Sequence, residues 1–535
     1  MDRRSFLTGW AQRGSIAPSV NYSPLNNSHE RALSTGLEPW VPTTAEPWDS
    51  VRQGHLLRRT MMLPTWPDIE TISNLTPSAA VDLLLNTPSS PAVAPTGDPS
   101  NNNNFTTSLR GLDSPLANEM RATWAANARA LEEWFANVLL NSPLSIVEKM
   151  TFFWSGHFTS QYVVDEDYDQ APLLYIQNQL FRNNGLKNFS DLVWNVTLDG
   201  AMLVYLGSIL NVKGTPNENY ARELQELFTM GLGNYSEGDV KEAARILTGW
   251  KVGRFMDDPF PNGKFMPYYE RALHDVGNKT YLGVSFPAIA DQDNSENYVK
   301  NIEIRKLIDT IFTVRGDAVA TYICRKIYKF FVYSNPSGTD ETVIAAMAKI
   351  FKDNNFDIKP VISTLLKSAH FFDNANIGCQ IKTPAEYIIG LGRQLGYTSG
   401  MPGNMATILQ ELFNPPNVSG WTGWHDWITT NTYPVRSSIV SKALDPQAMT
   451  DKITLDFINQ FSNHDDANKL ITDLGALMLP RKLATLRHDD LVNRLVGGGK
   501  DYEWPTILST SPNSAARYMR DVLTTICNLP DYQLC

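Results

Sequence analysis

Cysteine is scarce in this chain of 535 residues, which contains only four. The intervals between Cys324, Cys379, Cys527 and Cys535 match neither a zinc-binding pattern nor a redox-active CxxC pair. A disulfide framework of the kind that stabilises small secreted domains is therefore excluded. A single bridge between Cys527 and Cys535 is left open by the sequence.

Positive charge is also in deficit. The chain has 46 Lys and Arg against 56 Asp and Glu, a net charge of −10 and a pI near 5.4. Because binding to a phosphate backbone takes clustered Lys and Arg, we expect no nucleic-acid partner. No apolar run approaches the length of about eighteen residues that a membrane-spanning helix needs, so we expect no transmembrane segment.

Several familiar catalytic motifs are missing. The sequence has no HExxH motif, EF-hand loop, phosphate-binding loop or GxSxG nucleophile motif. Covalent acyl transfer and motif-based metal chemistry therefore have no support from the sequence.

Apolar residues at intervals of three and four are abundant, and this spacing predicts helices. It is clearest between Ala117 and Leu140. Further helices are predicted at Ser145–Phe153, Leu173–Asn183, Phe189–Asn195, Asn301–Arg315, Ala318–Tyr333, Asp340–Asn354, Ile358–Lys367, Pro384–Leu395, Met405–Leu412, Ser437–Leu444, Ile453–Ser462, Ala467–Leu477, Lys482–Arg494 and Ser514–Cys527. Alternating strand patterns are almost absent, apart from one short hairpin between Lys251 and Leu282. We predict a mostly α fold.

The most informative segment is a predicted helical hairpin between Asn217 and Trp250. Apolar stripes run along both of its helices, Gly231 and Gly233 supply the turn, and Ser236 with Asp239 reads as a capping box. The first helix also carries Asn219, Tyr220, Arg222, Glu223 and Glu226. This is more polar chemistry than a hairpin needs for folding.

The hairpin resembles the signature of a bacterial family called domain of unknown function 1800, DUF1800. Five other segments resemble the same family in the same order: HLLRRT at 55–60, EKMTFFWSGHF at 148–158, HDVGNKTYLG at 274–283, KTPAEYIIGLGRQLG at 382–396 and LFNPPNVSGWTGWHDWI at 412–428. The resemblance implies one large helical domain over residues 55–440. We expect an extended arm at 1–54 and a helical extension at 441–535.

One low-complexity region interrupts this domain, and an export-like motif precedes it. Residues 86–111 are rich in Pro, Asn and Ser and are predicted to form a mobile loop or lid. Arg3 and Arg4 in MDRRSFLTGW resemble a twin-arginine export motif, although no apolar signal-peptide core follows. We expect a periplasmic or secreted protein, with a cytoplasmic location as the alternative.

Glu223 and Glu226 share one flank of the first hairpin helix and have two interpretations. They are candidates for acid/base catalysis or, with Asp275, for binding a divalent cation. The alternative is a buried ionic network with Arg222 and Arg245 that only fixes the fold.

Two histidines are candidate catalytic assistants. His157 ends an aromatic-rich segment, and His274 is followed by Asp275, a carboxylate that can orient an imidazole or join it on a metal. Each has a structural alternative: a hydrogen-bonded core histidine for His157, and a loop cap for the His274–Asp275 pair.

The tryptophan-rich segment supplies candidate ligand contacts. Trp421, Trp424 and His425 either form a stacking platform for a carbohydrate ring or fix a loop to the core. Lys382 is a candidate for holding an anionic ligand, with neutralisation of nearby carboxylates as its alternative.

The expected function is that of an exported enzyme performing hydrolysis or related acid/base chemistry in a polar cleft lined by Glu, Arg and His. Glu223, Glu226, His157 and His274 would be catalytic. Substrate contacts would come from Asn219, Tyr220, Arg222, Arg245, Lys382, Trp421, Trp424 and His425. The alternative is a non-catalytic binding or assembly protein; the resemblance implies a partner from the family called domain of unknown function 1501.

Overall fold

The computed structural model describes residues 36–92, 114–162, 169–252 and 267–535. Helix dominates these residues, which confirms the predicted mostly α class. In the first half the helices are Ser50–Thr60, Trp66–Ser73, Pro77–Asn86, Ser114–Leu140, Val147–His157, Ala171–Asn184, Phe189–Thr197, Gly200–Tyr205, Asn219–Glu223 and Glu237–Ile246.

The second half of the chain continues in the same way. Its helices are Glu296–Tyr298, Arg305–Val314, Gly316–Phe331, Thr339–Asp353, Ile358–Leu366, Pro384–Leu395, Met401–Thr407, Thr432–Ala443, Asp451–Ile458, Ala467–Met478, Thr485–Leu495, Trp504–Thr510 and Pro512–Cys527. π-helical turns occur at Leu224–Thr229 and Val299–Ile304. Short 3-10 helices are Ser208–Leu210, Arg271–Leu273, Asp291–Asp293, Trp424–Trp427, Asp501–Glu503 and Pro530–Gln533.

The described residues contain two small antiparallel sheets, where the sequence predicted a single short hairpin. Strand β1, Trp250–Val252, pairs with β2, Pro267–Tyr269, so that Trp250 lies opposite Tyr269. Strand β3, Lys279–Tyr281, pairs with β4, Val284–Phe286. Leu282 and Gly283 both have positive φ, as a two-residue turn between such strands requires.

Local capping chemistry explains why some helix limits were predictable. The Pro384–Leu395 helix has the predicted limits, because Thr383 and Glu386 form a capping box and Gly396 ends the helix with a φ of 74°. By contrast, the Ser50–Thr60 helix begins inside the predicted extended arm, where the Asp49 side chain accepts a hydrogen bond from Arg52 N. The expectation of an extended arm up to residue 54 is therefore wrong for Ser50 onward.

Leu33–Cys535 form one compact unit. One apolar core cluster runs through it from Leu56 to Tyr532. The region after residue 440 contributes to this core and pairs with the rest of the unit: Leu534 forms a β-bridge with Ile381, and Arg58 Nη1 donates to Ala476 O at 2.9 Å.

Two sequence predictions fall wholly or partly outside the described residues. The Arg3–Arg4 motif lies outside them, as does most of the predicted 86–111 loop. Within the part of the chain that is described, no helix is long and apolar enough to cross a membrane.

Candidate functional site

The helical hairpin is built from Asn219–Glu223, the π-helical turn Leu224–Thr229 and the Glu237–Ile246 helix. Gly231 and Gly233 form the turn with φ angles of 76° and 83°. Ser236 and Asp239 make the predicted capping box. The predicted hairpin is confirmed, except that its first helix changes from α to π at Leu224.

The π-helical turn ends with backbone carbonyls that other helices bind. Leu227 O accepts from Tyr322 OH at 3.0 Å and from Lys326 Nζ at 3.2 Å, both on the Gly316–Phe331 helix. Phe228 O lies 3.0 Å from His157 Nε2. Three side chains from two other helices therefore hold the end of the first hairpin helix.

His157 is buried and uses both ring nitrogens in this arrangement. Burial, reinforced by the charge of Lys326, holds the pKa of His157 well below its usual value, so the ring is neutral at pH 7. Nε2–H donates to Phe228 O, and Nδ1 accepts from Lys326 Nζ at 3.1 Å. Burial also lowers the pKa of Lys326 to about 8. In the structure, His157 therefore holds the hairpin in place through its hydrogen bond to Phe228 O.

His274 makes the equivalent contact at the end of the second hairpin helix. It is buried; Nδ1 donates to Thr248 O at 2.8 Å, and Nε2 lies 2.9 Å from Glu303 Oε2. The other oxygen of Glu303 accepts from Lys279 Nζ at 2.7 Å, and both of these side chains are buried. Lys279 and Glu303 form a buried ion pair that His274 contacts, and these three side chains are called the ionic cluster beneath the hairpin.

Asp275 does not join the hairpin glutamates in a metal site. Burial alone would raise the pKa of its carboxyl, but hydrogen bonds from Arg245 and from Gly277 N lower it. Arg245 Nε lies 2.8 Å from Asp275 Oδ2, and Arg245 Nη1 lies 2.9 Å from Glu242 Oε1. The described residues contain no group of three or more His, Cys, Asp or Glu side chains placed to hold a metal ion. The predicted metal site of Glu223, Glu226 and Asp275 is therefore not formed, because the Asp275 carboxylate is paired with Arg245.

The remaining substrate candidates on the hairpin also have protein partners, apart from the exposed Asn219 side chain. Arg222 binds Glu237 on the second hairpin helix through two hydrogen bonds of 2.6 and 2.7 Å. The buried Tyr220 donates from its hydroxyl to Thr197 Oγ1 at 2.9 Å. Arg222 therefore bridges the two hairpin helices, and Tyr220 belongs to the core.

Glu223 and Glu226 are the predicted catalytic residues that stay partly exposed. Glu226 Oε2 accepts from Tyr235 OH at 2.7 Å. Burial, with the charges of Glu226 and Glu223, raises the pKa of Tyr322 to about 12, and burial with the charge of Glu223 does the same for Tyr205. The two carboxylates therefore lie among tyrosine hydroxyls on the surface of the hairpin.

Lys382 lies fully buried, and its Nζ stands 3.7 Å from the centroid of the Tyr532 ring. Among the described residues Nζ has no hydrogen-bond partner. Burial lowers the pKa of Lys382 to about 7. It is an enclosed amine against an aromatic ring, and it is not available to an anionic ligand from solvent.

The tryptophan-rich segment is fixed to the end of the Val147–His157 helix. Thr159 Oγ1 donates to Val418 O at 2.6 Å, and a Cβ atom at Gly420 would lie only 2.6 Å from Gly156 O. Gly420 has a φ of 80°, so glycine is needed there for both reasons. Trp427 is buried, whereas Trp424 stacks on the exposed His425 with ring centroids 3.8 Å apart.

Trp421 lines a surface cleft with about 390 Å³ of space between its walls, the open mouth included. The described residues of its walls are Phe, Leu, Pro, Ser, Gln, Asn and Trp, with no ionisable side chain among them, and Trp424 is not one of them. The expected cleft lined by Glu, Arg and His is therefore not the one that Trp421 faces.

Sequence reasoning missed the residues that partner the predicted ones. Lys326, Tyr322 and Glu303 hold the hairpin but lie in helices outside the six resembling segments. Each makes its contact through tertiary packing, so spacing along the chain carried no signal for it.

These observations define a mostly α protein in which separated motifs meet at one helical hairpin: the 148–158 and 274–283 segments bind its ends directly. The model of the family described as proteins of unknown function, DUF1800, matches residues 55–534. The chain belongs to the DUF1800 family, and the match continues past residue 440, where the sequence resemblance stopped. No curated protein and no solved structure matches the chain.

Proposed function

We propose that this chain is a non-catalytic binding protein in which the hairpin and its partners form a rigid frame. The observation that carries the proposal is that the imidazole nitrogens of His157 and His274 all contact other groups of the protein. Each ring nitrogen of His157 and His274 lies within 3.1 Å of Phe228 O, Lys326, Thr248 O or Glu303. A catalytic imidazole needs a nitrogen free for substrate, so these contacts favour a structural role.

The charges around the hairpin support the same proposal. Arg222 and Arg245 are in ion pairs with neighbouring carboxylates, and Lys279 is buried against Glu303. Buried ion pairs add little net stability over apolar residues, but removing one partner is costly. Such a network suits a frame that must keep one geometry.

Acid/base catalysis at Glu226 is the second candidate function. It is favoured by one observation: the carboxylate is partly exposed and receives a hydrogen bond from Tyr235 OH, on the surface between the hairpin helices. A carboxylate with a neighbouring phenol is able to exchange protons with a bound substrate.

Turnover assays separate the two candidates. Purified protein would be incubated with p-nitrophenyl esters, phosphates and glycosides, with and without Mg²⁺ or Mn²⁺, beside Glu226→Gln and the matched control Glu237→Gln. The binding proposal predicts no turnover by any of the three proteins. Turnover that Glu226→Gln abolishes and Glu237→Gln retains would overturn it in favour of catalysis.

Export and a protein partner belong to the same proposal. Both are motivated by the sequence: the Arg3–Arg4 pair, and the resemblance that implies a partner of the family called domain of unknown function 1501. Replacing both arginines with lysine should keep an exported protein in the cytoplasm. Wild-type protein found in the cytoplasm by fractionation would contradict export and the exported partner together.

A further inference from the structure

The Trp421 cleft lies between three parts of the chain. Phe152 and Ser155 come from the Val147–His157 helix, Gln177 and Asn178 from the Ala171–Asn184 helix, and Phe413 and Trp421 from the tryptophan-rich segment. The Trp421 ring lies over Gly156, where a Cβ atom would be 4.0 Å from it. One wall of the cleft is therefore aromatic and another carries amides.

Asn178 is the unusual residue of this cleft. Its side chain is 1 % exposed, and neither Oδ1 nor Nδ2 has a hydrogen-bond partner among the described residues. Buried amides in folded proteins are almost always paired, because an unpaired amide loses its hydrogen bonds to water and gains none in return. A partner outside the described residues is the simplest account of this amide.

The neighbouring Gln177 differs, because both hydrogens of its amide nitrogen have partners. Its Nε2 donates to Ser160 Oγ at 2.9 Å and to Asp199 Oδ1 at 2.7 Å. The space between the walls of the cleft has room for about one water molecule, so a larger ligand would lie at its mouth. A water there would bind Asn178 and present its remaining hydrogen bonds toward the mouth of the cleft.

We propose that this cleft binds a neutral carbohydrate, with a sugar ring stacked on Trp421 at the mouth and linked to the buried Asn178 through that one water. The proposal rests on the proposed binding function and supplies its ligand class. Tryptophan faces bind the apolar face of a sugar ring, and amides bind its hydroxyl groups. The lining residues that the structure describes include no ionisable side chain that would neutralise a charged ligand, and their amides and aromatic rings fit a neutral one.

Asn178→Leu provides a test in which binding and stability move in opposite directions. Leucine has a similar size and needs no hydrogen-bond partner, so it should raise the melting temperature of the free protein. If Asn178 serves a ligand, the same change should weaken carbohydrate binding by about tenfold or more. A residue with a purely structural role would lose stability instead.

The experiment is calorimetric titration of the full chain with cellotriose, maltotriose and chitotriose, with trigalacturonate as the anionic control. We expect at least one neutral trisaccharide to bind wild type, Trp421→Ala to abolish that binding, and the matched Trp424→Ala, outside the cleft, to retain it. Failure of all three neutral sugars to bind, or equal binding by Asn178→Leu, would overturn the cleft proposal. Binding of trigalacturonate alone would also overturn it.

The outcomes also separate this inference from the proposed function. Chromatography of the titrated sugar reports whether it is cleaved. Intact bound sugar supports both proposals. Cleaved sugar would overturn the binding-protein proposal while leaving the cleft as the carbohydrate site, and no sugar binding with no turnover elsewhere would overturn the cleft alone.

Discussion

The hairpin and the Trp421 cleft use polar side chains in opposite ways. Around the hairpin, ionisable groups such as His157, His274 and Arg245 are tied to carbonyls or to opposite charges. The described lining of the cleft has no ionisable residue, and both amide atoms of its Asn178 lack a hydrogen-bond partner among the described residues. A dense polar motif can therefore be satisfied within the protein, while a less conspicuous neutral surface contains the unpaired group on which the binding proposal rests.

The largest expected effect comes from opening the ionic cluster beneath the hairpin. Glu303→Gln removes the carboxylate charge that Lys279 and His274 face, and both of these side chains are buried. The free energy of unfolding should fall by about 3–5 kcal/mol, the usual result of stranding a buried charge. Denaturant titration measures it.

The matched control is Glu237→Gln, which weakens the ion pair between Glu237 and Arg222. The Glu237 side chain is 69 % exposed, so the expected loss is below about 1 kcal/mol. Equal effects of the two changes would show that the cluster under the hairpin is no more structural than a surface pair.

A smaller effect is expected at the first hairpin helix. His157→Phe keeps an aromatic ring but removes the hydrogen bond to Phe228 O and the acceptor for Lys326. The expected loss is about 1–3 kcal/mol, together with faster amide hydrogen exchange in the π-helical turn. His425→Phe, at an exposed position, should leave both quantities unchanged. Unchanged exchange in His157→Phe would contradict the fastening role.

Sequence patterns predicted the hairpin because its signals are local. The turn glycines and the Ser236–Asp239 capping box all act within a few residues, and the structure contains them. The π-helical turn at Leu224–Thr229 was not predictable, since the tertiary hydrogen bonds at Leu227 O and Phe228 O accompany it. A period of 3.6 residues fits the segment equally well.

The cleft also could not be predicted from the sequence, because it depends on tertiary structure. Trp421 was recognised as a candidate ligand contact, but Asn178 sits in a helix predicted only from its apolar spacing. An unpaired amide is a property of the folded environment, and no pattern along the chain reports it. The same holds for Lys382, whose burial against Tyr532 removed it from the set of accessible cations.

Lys382, which is buried outside the cleft, should make the stability of the protein depend on pH. Its pKa of about 7 lies below the usual value of 10.5 for a free lysine, so between these pH values the unfolded chain binds more protons than the folded one. The contribution of Lys382 should therefore make the free energy of unfolding rise with pH from about 7 to about 10.5. Lys382→Met should flatten that rise and raise stability at pH 7. An unchanged slope in thermal melts across this range would contradict it.

The smallest expected effect belongs to Glu226. Glu226→Gln keeps an oxygen that accepts from Tyr235 OH, and the position is partly exposed. Its free energy of unfolding should change by less than about 1 kcal/mol. A loss of several kcal/mol would instead place Glu226 within the structural network of the hairpin.

The Val147–His157 helix contributes residues to both the hairpin contacts and the Trp421 cleft. Within three consecutive residues of Val147–His157, Ser155 lines the cleft, Gly156 lies against Gly420, and His157 binds the hairpin. An occupant of the cleft that shifts or stiffens this helix end changes the free energy of the hairpin contact, and thermodynamic linkage makes the effect mutual. The two regions are therefore expected to act as one allosteric unit: hydrogen exchange at Met230 and Gly231 should slow when the cleft is filled, and His157→Phe should weaken binding at a distance.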